Sequence, residues 1–204
     1  MDVASRREQI LAVTTQLIAE RGFWGLSMQD VADRCGLTVP GVLHHVGSKD
    51  GLLVAVLEHR DTQDARALAA ELGWPAGDLT DTRELEAVAL PEVCAALVRR
   101  NARQPEIVRL YAVLESEALA PDHPAHSYFA QRQRRVLDAF EQMARGRTAQ
   151  PRRLAMTVLA LMDGLQIQWL RNPDEVDFFH EWEALAGPLF ADLRSTKSRR
   201  TKPV

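Results

Sequence analysis

Between residues 27 and 48, three side chains able to cap a helix, Ser27, Thr38 and Ser48, stand eleven and ten residues apart. A cap oxygen satisfies an amide that the first turn of a helix leaves without a partner, so each such residue marks a possible helix start. Starts this close allow only two short helices and the opening of a third. Gly36 lies between the first two, where glycine gives a sharp turn its left-handed conformation at low cost. Ala32, Gly36 and Val42 then fall at the spacing of a helix-turn-helix. The small residue lies where the two helices meet, and the valine closes a little core.

The rest of the chain is punctuated in the same way. Ser5-Arg6-Arg7-Glu8 reads as a capping box, followed by Ile10, Val13, Leu17 and Ile18 at helical spacing and stopped by Gly22. Pro40 sits in the first turn of the third helix, where its missing N–H costs little. The fourth helix starts after Ser48, carries Leu52, Leu53, Val56 and Leu57 on its apolar side and runs to about Leu72. Residues 73–82, GWPAGDLTDT, form the clearest linker, and Asp81 and Glu84 are spaced to cap a short helix. Further helices are expected from Pro91 to about Arg103, Pro105 to about Leu119, Pro124 to Ala144 and Pro151 to about Arg171. A ninth follows Asn172-Pro173-Asp174-Glu175, with Asn172 as its cap. From Arg194 onward basic residues occur without acids or periodicity, so a disordered tail is expected. No stretch alternates as a strand does, and no repeat occurs. The expectation is an all-α protein of about nine helices: a helix-turn-helix domain over 1–47, a larger helical domain over 48–194 and a basic tail over 195–204.

Several function classes are disfavoured by composition and spacing. Cys35 and Cys94 stand far apart, match no zinc pattern and read as buried thiols. His123 and His126 have metal-like spacing, but Pro124 lies between them and no third ligand is near, so turn chemistry accounts for them better. His180-Glu181 lacks the second histidine of a zinc-protease helix, since residue 184 is alanine. Glu115 and Glu117 lie on different helix faces, and no phosphate loop or nucleophile elbow occurs. No enzyme and no cofactor are expected. Without an apolar signal core or a long apolar run, the chain reads as cytoplasmic, with no membrane partner. Its net charge of -3 means that a polyanion would have to be met by locally concentrated positive charge.

Residues 26–57, LSMQDVADRCGLTVPGVLHHVGSKDGLLVAVL, resemble the TetR family of transcriptional repressors over about residues 5–60. The shared pattern is a capping Ser or Thr, an apolar-Ala helix, a glycine, a short recognition helix ending in histidine, and Ser-Lys opening the fourth helix. RLYAVLESEALAPDHPAHSYF and LMDGLQIQWL resemble effector-domain segments of actinobacterial members. The chain departs from the pattern at Leu43, where members often carry tyrosine, at Val46, often phenylalanine, and at Val39, often basic.

The resemblance implies a DNA-binding regulator, a homodimeric repressor released by a small molecule from a palindromic duplex operator. The other reading is a helical ligand-binding or enzyme domain with no DNA function. The DNA-contact candidates are Ser27, Thr38, Val39, Pro40, Gly41, His44, His45 and Lys49. The recognition helix has no Lys or Arg, so arginine readout of guanine cannot come from it; Val39 and Pro40 are suited to thymine methyls and Thr38 to a base edge or phosphate. His44 and His45 point about 100° apart and cannot easily share a metal. They read as phosphate contacts, or as one packed and one solvated ring. Lys49, in the first turn of the fourth helix, supports the phosphate reading. Arg6 and Arg7 either reach DNA or are solvated.

The eighth helix is apolar on two sides. Leu154, Val158, Leu161 and Leu165 form one stripe, and Leu159, Met162, Gln166 and Trp169 another. With Phe178, Trp182, Leu185 and Leu189 of the ninth, the first stripe is expected to form a four-helix dimer interface, Gly164 allowing close approach. Tyr111, Glu115, Phe129, Met162, Gln166 and Trp169 combine apolar wall and polar anchors suited to a ligand pocket. Taken singly, each of the aromatics and Met162 reads rather as plain core; it is as a set that they point to a pocket.

Overall fold

The computed structural model describes residues 3–21, 25–73 and 88–199. Among them are nine helices and no strand: α1 (Val3–Arg21), α2 (Met28–Cys35), α3 (Val39–Val46), α4 (Lys49–Glu71), α5 (Leu90–Ala102), α6 (Pro105–Glu117), α7 (His126–Ala144), α8 (Pro151–Arg171) and α9 (Phe178–Arg199). Gly22, most of the expected linker and the Asp81–Glu84 cap lie outside the described residues.

The chain divides into two compact units, residues 1–66 with 104–130, and residues 67–103 with 131–204. The first unit therefore holds α1–α3, most of α4, α6 and the first turn of α7. The sequence-drawn boundary at 47/48 separates the expected helix-turn-helix domain from the rest, whereas packing places residues 48–66 and α6 with it.

The core of the first unit is built from Ile10, Leu17 and Ile18 of α1, Val31 and Ala32 of α2, Val42 of α3, Leu57 of α4 and Leu114 of α6, all at most 1% exposed. Burying such side chains is the main favourable term in folding. Thr14, buried among them, donates its hydroxyl to the Ile10 carbonyl at 2.7 Å and so leaves no unsatisfied donor. A polar cluster ties α4 to α6 and α7. The Tyr128 hydroxyl donates to Asp61 Oδ2 at 2.7 Å, and Tyr111 donates to the Leu57 carbonyl at 2.9 Å and lies 3.3 Å from Asp61 Oδ1. Burial, then the neighbouring Tyr111 and Asp61, push the Tyr128 phenol far above its usual range, so it stays a protonated donor.

In the second unit α9 packs on both α5 and α8. Trp169 of α8 stacks on Phe178 of α9 with ring centroids 5.0 Å apart. Arg99 lies over the Phe179 ring and pairs with Glu71 at 3.3 Å. Arg152 bridges Asp138 at 2.7 Å and Glu141 at 3.2 Å, joining α8 to α7.

Three sequence expectations are corrected. Ser5 is not a helix start, because nothing in Val3-Ala4 breaks a helix and α1 already runs from Val3. Asn172 does not cap α9. It ends α8, and its carbonyl accepts from Glu175 and Val176 in a turn through Pro173. Asp177 takes over the cap, its Oδ1 accepting from the Phe179 and His180 amides at 3.1 and 3.0 Å. Finally, α9 continues to Arg199, past Arg194 where the aperiodic tail is expected to begin.

Candidate nucleic-acid interface

The turn between α2 and α3 is built from backbone groups. Gly36 sits at φ 66, ψ 36, and the Leu37 amide reaches back to the Ala32 carbonyl at 2.9 Å, closing a left-handed helix end. A β-carbon there would cost energy, which is why a glycine marks this turn. Thr38 then opens α3: its Oγ1 accepts from the Gly41 amide at 3.2 Å. Val42 and Val46, one turn apart, are buried, whereas Pro40 and His44, also one turn apart, are exposed. The helix thus has an inner face locked into the core and an outer face free to meet a ligand.

Gly47 at φ 79 ends α3, and Ser48 caps α4 by accepting from the Gly51 amide at 2.9 Å. Lys49, the first residue of α4, is exposed and lines a shallow cleft with Ile18, Met28 and Leu52. It stands where helix amides favour an anion. A β-carbon on Gly51 would fall 2.5 Å from the Val46 carbonyl oxygen, so this glycine lets the end of α3 lie directly against α4. Sequence reasoning passed over Gly51, although a glycine inside a helix is itself a signal of close approach.

The eight DNA-contact candidates therefore fall at the N-caps of α2 and α3, on α3 itself and at the start of α4, but in different roles. Ser27 is engaged in a complete capping box: its oxygen accepts from the Asp30 amide at 3.1 Å, and its amide donates to Asp30 Oδ2 at 2.9 Å. Its hydroxyl also donates to Asp30 Oδ2. Those bonds, the hydroxyl's first, hold the Asp30 carboxyl below its ordinary range. Thr38, Pro40, His44 and Lys49 are exposed; Val39, Gly41 and His45 are half-buried. The two histidine rings meet edge to face with centroids 5.4 Å apart, and His45 Nδ1 is buried without a hydrogen-bond partner. Two arginines of α1 and α2 are held by carboxylates, Arg21 by Asp30 at 3.3 Å and Arg34 by Glu20 at 3.2 Å. Such exposed pairs contribute little to stability but occupy the cations.

The remaining candidates are spread over both units. Tyr111, Glu115 and Phe129 belong to the first, and Met162, Gln166 and Trp169 to the second. Gln166 accepts from Asn101 at 2.8 Å. Of the expected dimer residues, Val158, Leu165, Phe178 and Trp182 are buried in the second unit's own core. Leu154, Leu161 and Leu189 are half-buried, and Leu185 is 48% exposed. Met156, 56% exposed on α8, was missed because it falls outside both apolar stripes. Among the described residues no group of three His, Cys, Asp or Glu side chains is placed to hold a metal. His123 and His126 bond the backbone instead: His123 Nδ1 accepts from the Ala125 amide at 3.2 Å, and His126 Nδ1 lies 2.8 Å from the Ala118 carbonyl.

Comparison with known proteins finds similar sequences and folds. Residues 10–56 match the model of the bacterial regulatory proteins, tetR family. Over 62 residues the chain is 42% identical to the HTH-type transcriptional repressor Rv3405c of Mycobacterium tuberculosis, 30% of this chain and 33% of that one. The aligned stretch thus spans about a third of the relative's length. The fold extends further. A TetR-family protein from Rhodococcus sp. superposes with a TM-score of 0.68 at 22% identity, covering 93% of this chain and 99% of the other. AibR, in a structure with isovaleryl coenzyme A and operator DNA, superposes with a TM-score of 0.52 at 22% identity, covering 91% and 96%.

Proposed function

We propose that this chain, whose residues 10–56 match the tetR family model, is a TetR-type regulator: a cytoplasmic, homodimeric transcriptional repressor without enzymatic activity that binds a palindromic duplex operator and is released from it by a small molecule. The observation that carries the reading is the exposed face of α3. It is held by the Gly36 turn and the Thr38 cap and followed directly by the exposed Lys49. A short helix anchored by one face, with a cation at the start of the next helix, suits the major groove and its flanking phosphate. The repressor relative supports the direction of control, and the AibR complex supports a small-molecule effector.

In this reading α3 supplies sequence contacts, and Lys49 with His44 supplies phosphate contacts. A second copy docks on the exposed apolar positions of α8 and α9, Met156 and Leu185, beside the half-buried Leu154, Leu161 and Leu189. Two heads on one dimer then read two half-sites, which is what makes the operator palindromic. Tyr111, Glu115 and Phe129 in the first unit, and Met162, Gln166 and Trp169 in the second, are the effector-contact candidates. An effector shifts DNA affinity only by binding one arrangement of the protein better than another.

Two substitutions separate the proposed roles. Lys49→Ala is expected to weaken binding to all duplexes alike and to make the salt dependence shallower by about one unit. Thr38→Ala is expected to lower specific binding most and to cost about 1 kcal/mol of stability, because the same oxygen caps α3. Thr38→Ser, which keeps the cap, should restore stability. Titrations of a fluorescent duplex at several salt concentrations, with thermal melts beside them, read both effects. Unchanged affinity and slope in Lys49→Ala would remove the phosphate role.

A further inference from the structure

The outer face of α3 is unusual in what it lacks. Its eight residues, VPGVLHHV, include no Arg, Lys, Asn, Gln, Asp or Glu. None of the bidentate hydrogen bonds by which such side chains distinguish guanine, adenine or cytosine is available from this helix. Apart from the exposed His44, assigned above to phosphate, what it presents is apolar. Pro40 is exposed, Val39 and Leu43 are half-buried at its edges, and Gly41 adds no side chain. Thr38 Oγ1 already accepts from the Gly41 amide, which leaves its hydroxyl proton for one acceptor. Two of the arginines on α1 and α2, Arg21 and Arg34, are engaged with Asp30 and Glu20.

In the major groove, the one apolar group that distinguishes a base pair is the C5-methyl of thymine. Pressing Pro40 or Val39 against a G·C edge would cover donors and acceptors without replacing their hydrogen bonds, which is costly. Pressing them against a thymine methyl buries apolar surface on both sides. Gly41 keeps the helix profile low, and a β-carbon there would already come within 3.3 Å of Thr38 Oγ1.

We propose that α3 is a methyl reader: Val39, Pro40 and Leu43 pack on thymine methyls, so each operator half-site carries thymine at the steps that α3 covers. The proposal rests on the DNA-binding reading above and adds the class of sequence recognised.

The first arm of the test needs no altered protein. Duplexes bound by the full chain are selected from a random pool, and each thymine of the selected sequence is replaced in turn by deoxyuridine, which removes only the methyl. Deoxyuridine at one or two positions of each half-site is expected to raise the dissociation constant about fourfold per methyl. Pro40→Ala or Val39→Ala is expected to bind the thymine duplex more weakly and to lose part of the discrimination against uracil. A consensus without thymine at the central positions of each half-site would overturn the proposal. So would a fully uracil-substituted duplex bound within twofold of the original. If the pool yields no enriched sequence and no duplex is bound, the DNA-binding reading itself fails. Enrichment combined with indifference to uracil removes the methyl reader alone.

Discussion

Replacing Leu185 with glutamate is expected to yield a monomer whose affinity for operator DNA falls by a factor of about 10²–10⁴, the gain that linking two binding modules ordinarily gives. Leu185 is 48% exposed in the single chain, so its side chain makes a modest contribution to the fold of its own unit. A charge in its place can keep its hydration in the monomer and loses it only when a second copy covers the face. Helicity and melting temperature should therefore change little, while sedimentation velocity shows half the mass and DNA titration shows the loss. A Val158→Glu variant makes the contrast. Val158 is fully buried, and a charge there should unfold the second unit before any question of assembly arises. A Leu185→Glu protein that stays dimeric and binds normally would move the interface away from α8 and α9.

Leu57→Ala is expected to cost about 3 kcal/mol, within the range found for deleting a fully buried leucine side chain. Leu57 is 0% exposed at the centre of the first unit's core, on the helix that begins at Lys49. Its carbonyl still receives the Tyr111 hydroxyl after the change, since the 2.9 Å bond is to the backbone. The loss is therefore one of packing rather than of the polar cluster. Guanidinium unfolding should show a lower midpoint with an unchanged slope. Leu119→Ala, at a position 79% exposed, should shift it by less than about 0.5 kcal/mol. A Leu57→Ala loss as small as that of Leu119→Ala would mean the core is not organised around α4.

The helix-turn-helix was legible because its signals are local. Thr38 and Ser48 accept from amides three residues ahead, and Gly36 needs only its own dihedrals to turn the chain. The starts of α6 and α8 were equally plain, since Pro105 and Pro151 occupy first turns. Competing local signals were less decisive. Asn172 and Asp177 are both good caps, and only the observed length of α8, which uses Asn172 at its end, leaves α9 to Asp177.

Periodicity located the apolar stripes of α8 and α9 but not what covers them. Val158, Leu165, Phe178 and Trp182 go into the chain's own core, leaving Met156 and Leu185 outside. The Asp61–Tyr128 bond joins residues 67 apart, a pairing that no window of sequence reveals. The histidine pair shows a similar limit. Its helical spacing indicated divergent rings, and packing then left His44 exposed and His45 half-buried.

The central claim is that the α3 face and Lys49 together engage duplex DNA. Its most direct test is anisotropy of a labelled duplex from the selected pool, titrated with the full chain at salt concentrations from about 50 to 200 mM, the range over which phosphate contacts weaken strongly. The account predicts saturable binding whose logarithm falls linearly with the logarithm of salt, with a slope of several units, shallower by about one in Lys49→Ala. Absence of saturable binding at the lowest salt, or binding indifferent to salt, would contradict it.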